Sequence, residues 1–307
     1  PLRPLGIGEI LDGAIQSVRR NPKVMLGLSA VVVSLTSLIT FALTWSVLQD
    51  LSALDPATAS TDDFLGAYAS LIGGTIPGTI VGTIAQTILI GVLTVVVGRA
   101  ALGQTLSIGE AWTLVRPRLV RLLGLSLVAT VGTWGLLVLS VGGLVALSVA
   151  STLWLLVLLP VAVLPAIFVY VMWWIASPAL VLEKAPIFGS LGRSWTLVKG
   201  AWWRTFLIVL LTLVLTTVIT SVISVPFQLL GGFTTFFTSN PDNPFEISVW
   251  GLLVQSIGQI IGLTITYPFT AAVTVLVYID RRMRVEGLDL ELARAASAPG
   301  PVGPSAP

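Results

Sequence analysis

The sequence predicts an all-α, polytopic membrane protein. Its six transmembrane helices form three repeats of an amphipathic interfacial helix followed by a helical hairpin. Three observations carry this prediction. Charge is scarce: 10% of the 307 residues are Asp, Glu, Lys or Arg, 55% are hydrophobic, and the mean hydropathy is +0.98. A soluble domain carries about 25% charged residues. The few charges are crowded between long uncharged runs, and one short motif recurs ahead of alternate runs.

Such a chain cannot coat a globule with polar surface, which excludes a soluble enzyme, a disordered regulator and a secreted disulfide scaffold. The absence of His and Cys also removes an imidazole base, a thiolate nucleophile, a His/Cys metal site and disulfides. No cofactor is expected.

The uncharged runs are Val24–Gln49, Phe64–Gly98, Leu122–Leu182, Thr205–Pro241 and Ile247–Ile279. About 20 apolar residues cross a bilayer, so the third run, 61 residues long, holds two spans with a turn near Ser148–Thr152. The stretch Gly231–Pro241 reads as loop-like, and Gly73–Gly82 is Gly-rich. The spans are therefore expected at 24–49, 76–99, 120–146, 152–182, 204–230 and 249–280.

Six spans put both termini on one side. All sixteen basic residues fall on that side, with eight acids, for +8; the opposite loops hold only Asp50, Asp55, Asp62, Asp63, Asp242 and Glu246, for −6. Basic residues near span ends stay cytoplasmic, so cytoplasmic termini in a bacterial inner membrane are expected. The polarity also makes the high pI no sign of nucleic-acid binding. Anionic lipid headgroups are the expected partners of the basic face. No cleavable signal pattern is read at the start, and the absent initiator Met points to trimmed numbering. Residues 298–307 (APGPVGPSAP) read as a disordered tail after a single membrane domain over 1–297.

The repeats are read at about 5–100, 104–182 and 186–284. Trp112-Thr-Leu-Val-Arg116 matches Trp195-Thr-Leu-Val-Lys199 at a spacing of 83, and Val18-Arg19 matches Val115-Arg116 at 97. Apolar residues recur three and four apart at Leu11, Ile15, Val18; at Ile108, Trp112, Val115, Leu119; and at Leu191, Trp195, Val198, Trp202. That spacing forms one helical stripe. With Arg19, Arg116 and Lys199 beside it, each helix is expected to lie in the interface, stripe in the acyl boundary. These helices either anchor the hairpins or form a basic collar that engages lipid or a partner. The collar residues are Arg19, Arg116, Arg121, Glu183, Arg193, Trp195, Lys199, Arg204, Asp280 and Arg281.

Within the spans, Gly74, Gly78 and Gly82 form a doubled GxxxG, and Gly258 and Gly262 a single one. These allow close helix packing, within the chain or, for the first set, in a homodimer. The polar residues at depth are Gln86, Gln255, Ser256 and Gln259. The amides are expected to point into the bundle, as interhelical glue or as a substrate-contacting patch. Pro160 and Pro165 interrupt the fourth span and Pro268 the sixth. Gln86, Gln255, Gln259 and Pro268 form the candidate intramembrane cluster. No charge lies at mid-bilayer, which disfavours an ion-driven transporter. No GxSxG, P-loop or HExxH motif is present, so no enzyme is expected. Glu183 and Asp280, at span ends among basic residues, are expected to form salt bridges.

Several pieces together resemble a known family: Gly6-Ile-Gly-Glu9-Ile-Leu-Asp12-Gly13; Pro178-Ala-Leu-Val-Leu-Glu183; Ser190-Leu-Gly-Arg193-Ser-Trp195-Thr-Leu-Val-Lys199-Gly200 with Trp203-Arg204; and Tyr278-Ile-Asp280-Arg-Arg-Met-Arg-Val-Glu286-Gly287. They resemble the actinobacterial-type glycerophosphoryl diester phosphodiesterase membrane-domain family, without the catalytic barrel to which that module is fused elsewhere. The resemblance implies a six-helix membrane module without activity, in which Glu183, Arg193, Trp195 and Arg204 help to build the collar. The expected role is a scaffold or accessory subunit in envelope or lipid-related processes. The alternatives are a passive transporter or scramblase of an amphiphile and, least favoured, a membrane-embedded phosphodiesterase.

Overall fold

A computed structural model describes residues 5–52, 61–101, 104, 106–147, 152–238 and 248–287. The expected tail at 298–307 and the expected turn at Ser148–Thr152, apart from Thr152 itself, lie outside the described residues. The chain is all-helical. Its elements are α1 (Ile7–Arg20), α2 (Pro22–Ser52), α3 (Thr61–Ala101), α4 (Ile108–Val115), a 3₁₀ turn (Arg116–Arg118), α5 (Leu119–Leu147), α6 (Thr152–Trp173), α7 (Ala176–Glu183), α8 (Ile187–Lys199), α9 (Trp202–Thr238) and α10 (Val249–Glu286). Among the described residues, six segments are long and apolar enough to cross a membrane: Pro22–Trp45, Pro77–Ala100, Ile108–Val141, Val161–Glu183, Trp202–Thr234 and Val249–Glu286.

Two expectations about helix continuity need correction. The stretch read as loop-like from Gly231 is helical up to Thr238, in α9, as the Gly-rich Gly73–Gly82 is in α3. In hydrocarbon every backbone N–H and C=O must be satisfied internally, which outweighs the weak helix propensity of glycine. Pro268 does not interrupt the sixth span, because α10 is one helix of 38 residues. Around the proline, the hydroxyls of Thr266, Thr270 and Thr274 donate to the carbonyls of Gly262, Thr266 and Thr270.

The fourth span does break, but at Trp174–Ile175 rather than at Pro160 or Pro165. The cause is Pro178. It has no N–H to donate to the Trp174 carbonyl, so it sits in the first turn of a new helix, where an N–H is not needed.

The short helices dock on the bundle, each by a face of small or apolar residues. Ile10 and Ala14 of α1, Ala111 and Val115 of α4, and Ser190 and Ser194 of α8 are buried. The apolar stripe is therefore divided. Val115, Leu191 and Val198 pack inside, whereas Ile15, Ile108, Trp112 and Trp195 stay exposed and available to lipid. The helix starts Ile7, Ile108 and Ile187 are spaced by 101 and 79 residues, one helical turn from the 97 and 83 of the motif match. The docking face sets that register.

Helix α10 is central. It packs along α9 and against α2, α3 and α1, while the α5–α6 hairpin is attached through α3, α7, α8 and α9. Gly258 and Gly262 serve the α9–α10 contact: a Cβ on Gly258 would lie 2.7 Å from the Phe227 Cβ, and one on Gly262 3.3 Å from the Thr220 Cα. The apolar core occupies the half of the bundle nearer the basic segments, from Leu89 to Val97 on α3 and from Phe269 to Tyr278 on α10, joined by α7 and α8.

Candidate functional site

The other half of the bundle holds a cavity. Both α2–α3 and α9–α10 are hairpins, and α10 bridges them; α9 makes at most marginal contact with α2 or α3. The gap is a cleft of about 660 Å³ with α10 as its floor. A second space of about 300 Å³ adjoins it and shares Gln86, Thr220, Ser221, Leu263 and Tyr267. The α10 lining runs from Leu252 to Tyr267; beyond it, from Phe269 on, the helix enters the apolar core that closes the cleft toward the charged end.

The lining mixes hydroxyl and amide side chains with apolar ones and carries no Asp, Glu, Lys or Arg. It includes the expected Gln86, Gln255 and Gln259, from two helices, and adds Gln228 from α9. Gln255 packs on Gly231 of α9, where a Cβ would lie 2.8 Å from its Cγ, and among the described residues Gln86, Gln228, Gln255 and Gln259 make no hydrogen bond to a protein group. Pro268 lies outside the lining, on the core side.

The sequence reading picked out Ser256 but none of the cleft's threonines. Thr36, Thr40 and Thr44 on α2, Thr79 and Thr83 on α3, and Thr220, Ser224 and Gln228 on α9 recur every fourth residue and face the cleft. That polar stripe was the available signal. Thr36, Thr83 and Ser256 donate to carbonyls of their own helices, the ordinary use of a hydroxyl in an apolar helix. Ser224 differs, being buried with no partner for its Oγ. The GxxxG glycines also divide. Gly78 packs on Thr40 and Leu43 of α2, while Gly82 opens on the cleft with nothing within 4 Å.

At the opposite end the collar residues fall into two groups. Asp280, 1% exposed, accepts hydrogen bonds from Arg204 at 2.8 Å, from Arg284 at 3.0 Å and from the Leu5 N–H at 2.9 Å. Both arginines also donate to the Leu5 carbonyl, which ties the chain start to α9 and α10. Glu183 receives Arg193 at 3.0 Å, Arg282 at 3.4 Å and the Tyr278 hydroxyl, and Glu286 pairs with Arg193 and Arg282. The bond to Glu183 holds the Arg193 guanidinium even further above its ordinary range. Arg281 is buried and donates to the Leu197 carbonyl at 2.8 Å. The salt bridges expected at Glu183 and Asp280 are present.

Residues 5–280 match the family described as Domain of unknown function (DUF7847). The chain belongs to this family. No curated protein and no solved structure matches it. In this DUF7847 protein the second collar group, Arg19, Arg116, Arg121 and Lys199, is exposed and makes no ion pair with another described residue. Trp195 stands beside it, edge-on to Phe168 at 5.9 Å, and Trp202 stacks between Phe168 and Phe206. Buried ion pairs and exposed cations thus occupy one end of the molecule, and the uncharged cleft lies toward the other.

Proposed function

We propose that the protein is a non-enzymatic, multi-pass protein of the bacterial inner membrane with cytoplasmic termini, and that its cleft lets an amphiphile's polar part pass partway or fully across the bilayer. One observation carries this reading: an uncharged cleft lined by hydroxyls and amides at spanning depth, between hairpins held together chiefly through α10. Polar lining is costly in hydrocarbon and marks transport paths. The absence of charge fits passive rather than ion-coupled movement. The docked short helices ahead of each hairpin support the three-repeat organisation, and the resemblance to phosphodiesterase membrane domains supports a module that works without the barrel.

A second reading, a scaffold bound to anionic headgroups, is favoured by the exposed rim of Arg19, Arg116, Arg121 and Lys199 beside Trp112 and Trp195. Each basic residue near an anionic surface contributes about 1 kcal/mol.

Reconstitution separates the two. Liposomes carrying the protein and a fluorescent lipid analogue are treated with an impermeant quencher. Passage predicts loss of the inner-leaflet signal and slower loss with Gln259→Leu. A signal equal to that of protein-free liposomes refutes passage and leaves the scaffold.

A further inference from the structure

We infer that the cleft between α2, α3, α9 and α10 binds an uncharged, polyhydroxylated group, a glycosyl moiety carried by a lipid or free in solution. The inference rests on the passage reading above and adds the chemistry of what the cleft holds.

The first support is the lining. A carboxamide offers both donors and acceptors, and the amides of Gln86, Gln228, Gln255 and Gln259 all border the cleft without a described protein partner. Ser37 and Ser221 add hydroxyls on facing helices. An uncharged wall that offers both donors and acceptors complements a group that is itself made of hydroxyls. A cation would want carboxylates and an anion would want guanidinium or ammonium groups; the lining has neither.

Ser224 is an independent second support. It is 4% exposed, it borders the cleft, and its Oγ has no hydrogen-bond partner. A buried hydroxyl left unpaired is unfavourable, and nearly all such groups in folded proteins find a partner. Its Oγ has almost no accessible surface, so the hydroxyl meets an occupant only by turning about χ1 toward the space its residue borders.

Size and charge narrow the class further. A volume of about 660 Å³ lies within the range of small-molecule sites, roughly 300–1,000 Å³. A phosphate entering it would lose its hydration with no counter-charge in the lining, a strongly unfavourable transfer. On α10 the nearest cation, Arg281, is about 33 Å along the axis from Gln259 at 1.5 Å per residue, behind the apolar core. A neutral headgroup is accommodated where a phosphorylated one is not.

The test uses the whole chain in phosphatidylglycerol nanodiscs prepared without glycoside detergents, which would compete for the site. Two probes are titrated, diglucosyl diacylglycerol incorporated into the disc and soluble maltose, with binding read by calorimetry and native mass spectrometry. Saturable binding of either probe is expected. Gln259→Leu or Ser224→Val should weaken it about tenfold, the loss of one well-made hydrogen bond. The two variants perturb different helices, so misfolding of one, seen as a shifted unfolding midpoint, leaves the other as the test. Binding of the glycolipid alone assigns a lipid-borne group, and binding of maltose assigns a free sugar. Absence of saturable binding to both, or binding that a folded variant leaves unchanged, overturns the inference. The liposome experiment reads movement independently. Flip without glycosyl binding refutes the ligand class alone, and glycosyl binding without flip refutes passage alone.

Discussion

Replacing Asp280 by Asn tests whether the collar's buried carboxylate holds the chain start and two hairpin helices together. The side chain is 1% exposed and accepts from Arg204, Arg284 and the Leu5 N–H. Removing one member of a buried ion pair costs about 3–5 kcal/mol, because the other charge is left uncompensated. Here Arg204 and Arg284 remain 24% and 35% exposed, and both keep the Leu5 carbonyl, so water and backbone offset part of that loss. The lower end applies, about 3 kcal/mol, which shifts the folding equilibrium on the order of a hundredfold. Equilibrium unfolding in mixed micelles with increasing dodecyl sulfate, followed by the fluorescence of the ten tryptophans, measures it. Arg19→Gln is the control: Arg19 is exposed and unpaired, and its loss should stay within about 0.5 kcal/mol. If Asp280→Asn unfolds like the parent, Asp280 is not an organising charge and the collar is merely decorated by ion pairs.

Two further outcomes are expected. Gly258→Leu places its Cβ 2.7 Å from the Phe227 Cβ and should destabilise the α9–α10 contact by about 1–3 kcal/mol in the same unfolding assay. Gly82→Ala meets nothing within 4 Å and should be neutral or slightly stabilising; equal effects at the two sites would contradict the packing described. The chain has no cysteine, so single cysteines report topology cleanly. Ser248→Cys should react with an impermeant maleimide on intact cells and Lys199→Cys only after lysis, and the reverse pattern would invert the orientation.

Much of the architecture was legible because charge and hydrocarbon exclude each other. The free energy of moving a charged side chain into a bilayer is large enough that runs such as Leu122–Leu182 mark spans without any knowledge of contacts. Glu183 and Asp280 were legible as salt-bridging residues for the same reason: acids at a span end among arginines have few other fates. The break in the fourth span was less so. Pro160, Pro165 and Pro178 look alike in sequence, and only Pro178 falls where the helix gives way.

The cleft was only partly legible. Gln86, Gln255 and Gln259 stood out because an amide in a span needs a partner, yet periodicity could not tell whether that partner was a helix or a cavity. Thr36, Thr40 and Thr44 did not stand out at all, since a hydroxyl can satisfy itself on its own helix, as Thr36 does.

The sequence by itself determined the six spans, the segregation of basic charge to one end and the short helices that lead each hairpin, because these follow from the solvent each segment must meet. The tertiary structure alone decided which faces of those helices meet. It placed Ile10, Ala14 and Ser194 rather than the full apolar stripe against the bundle, and it held α9 away from α2 and α3 so that four amides border open space. Side-chain shape sets the closest of those distances: glycine at 258 and 262 lets α9 approach α10 where a Cβ would meet Phe227 and Thr220.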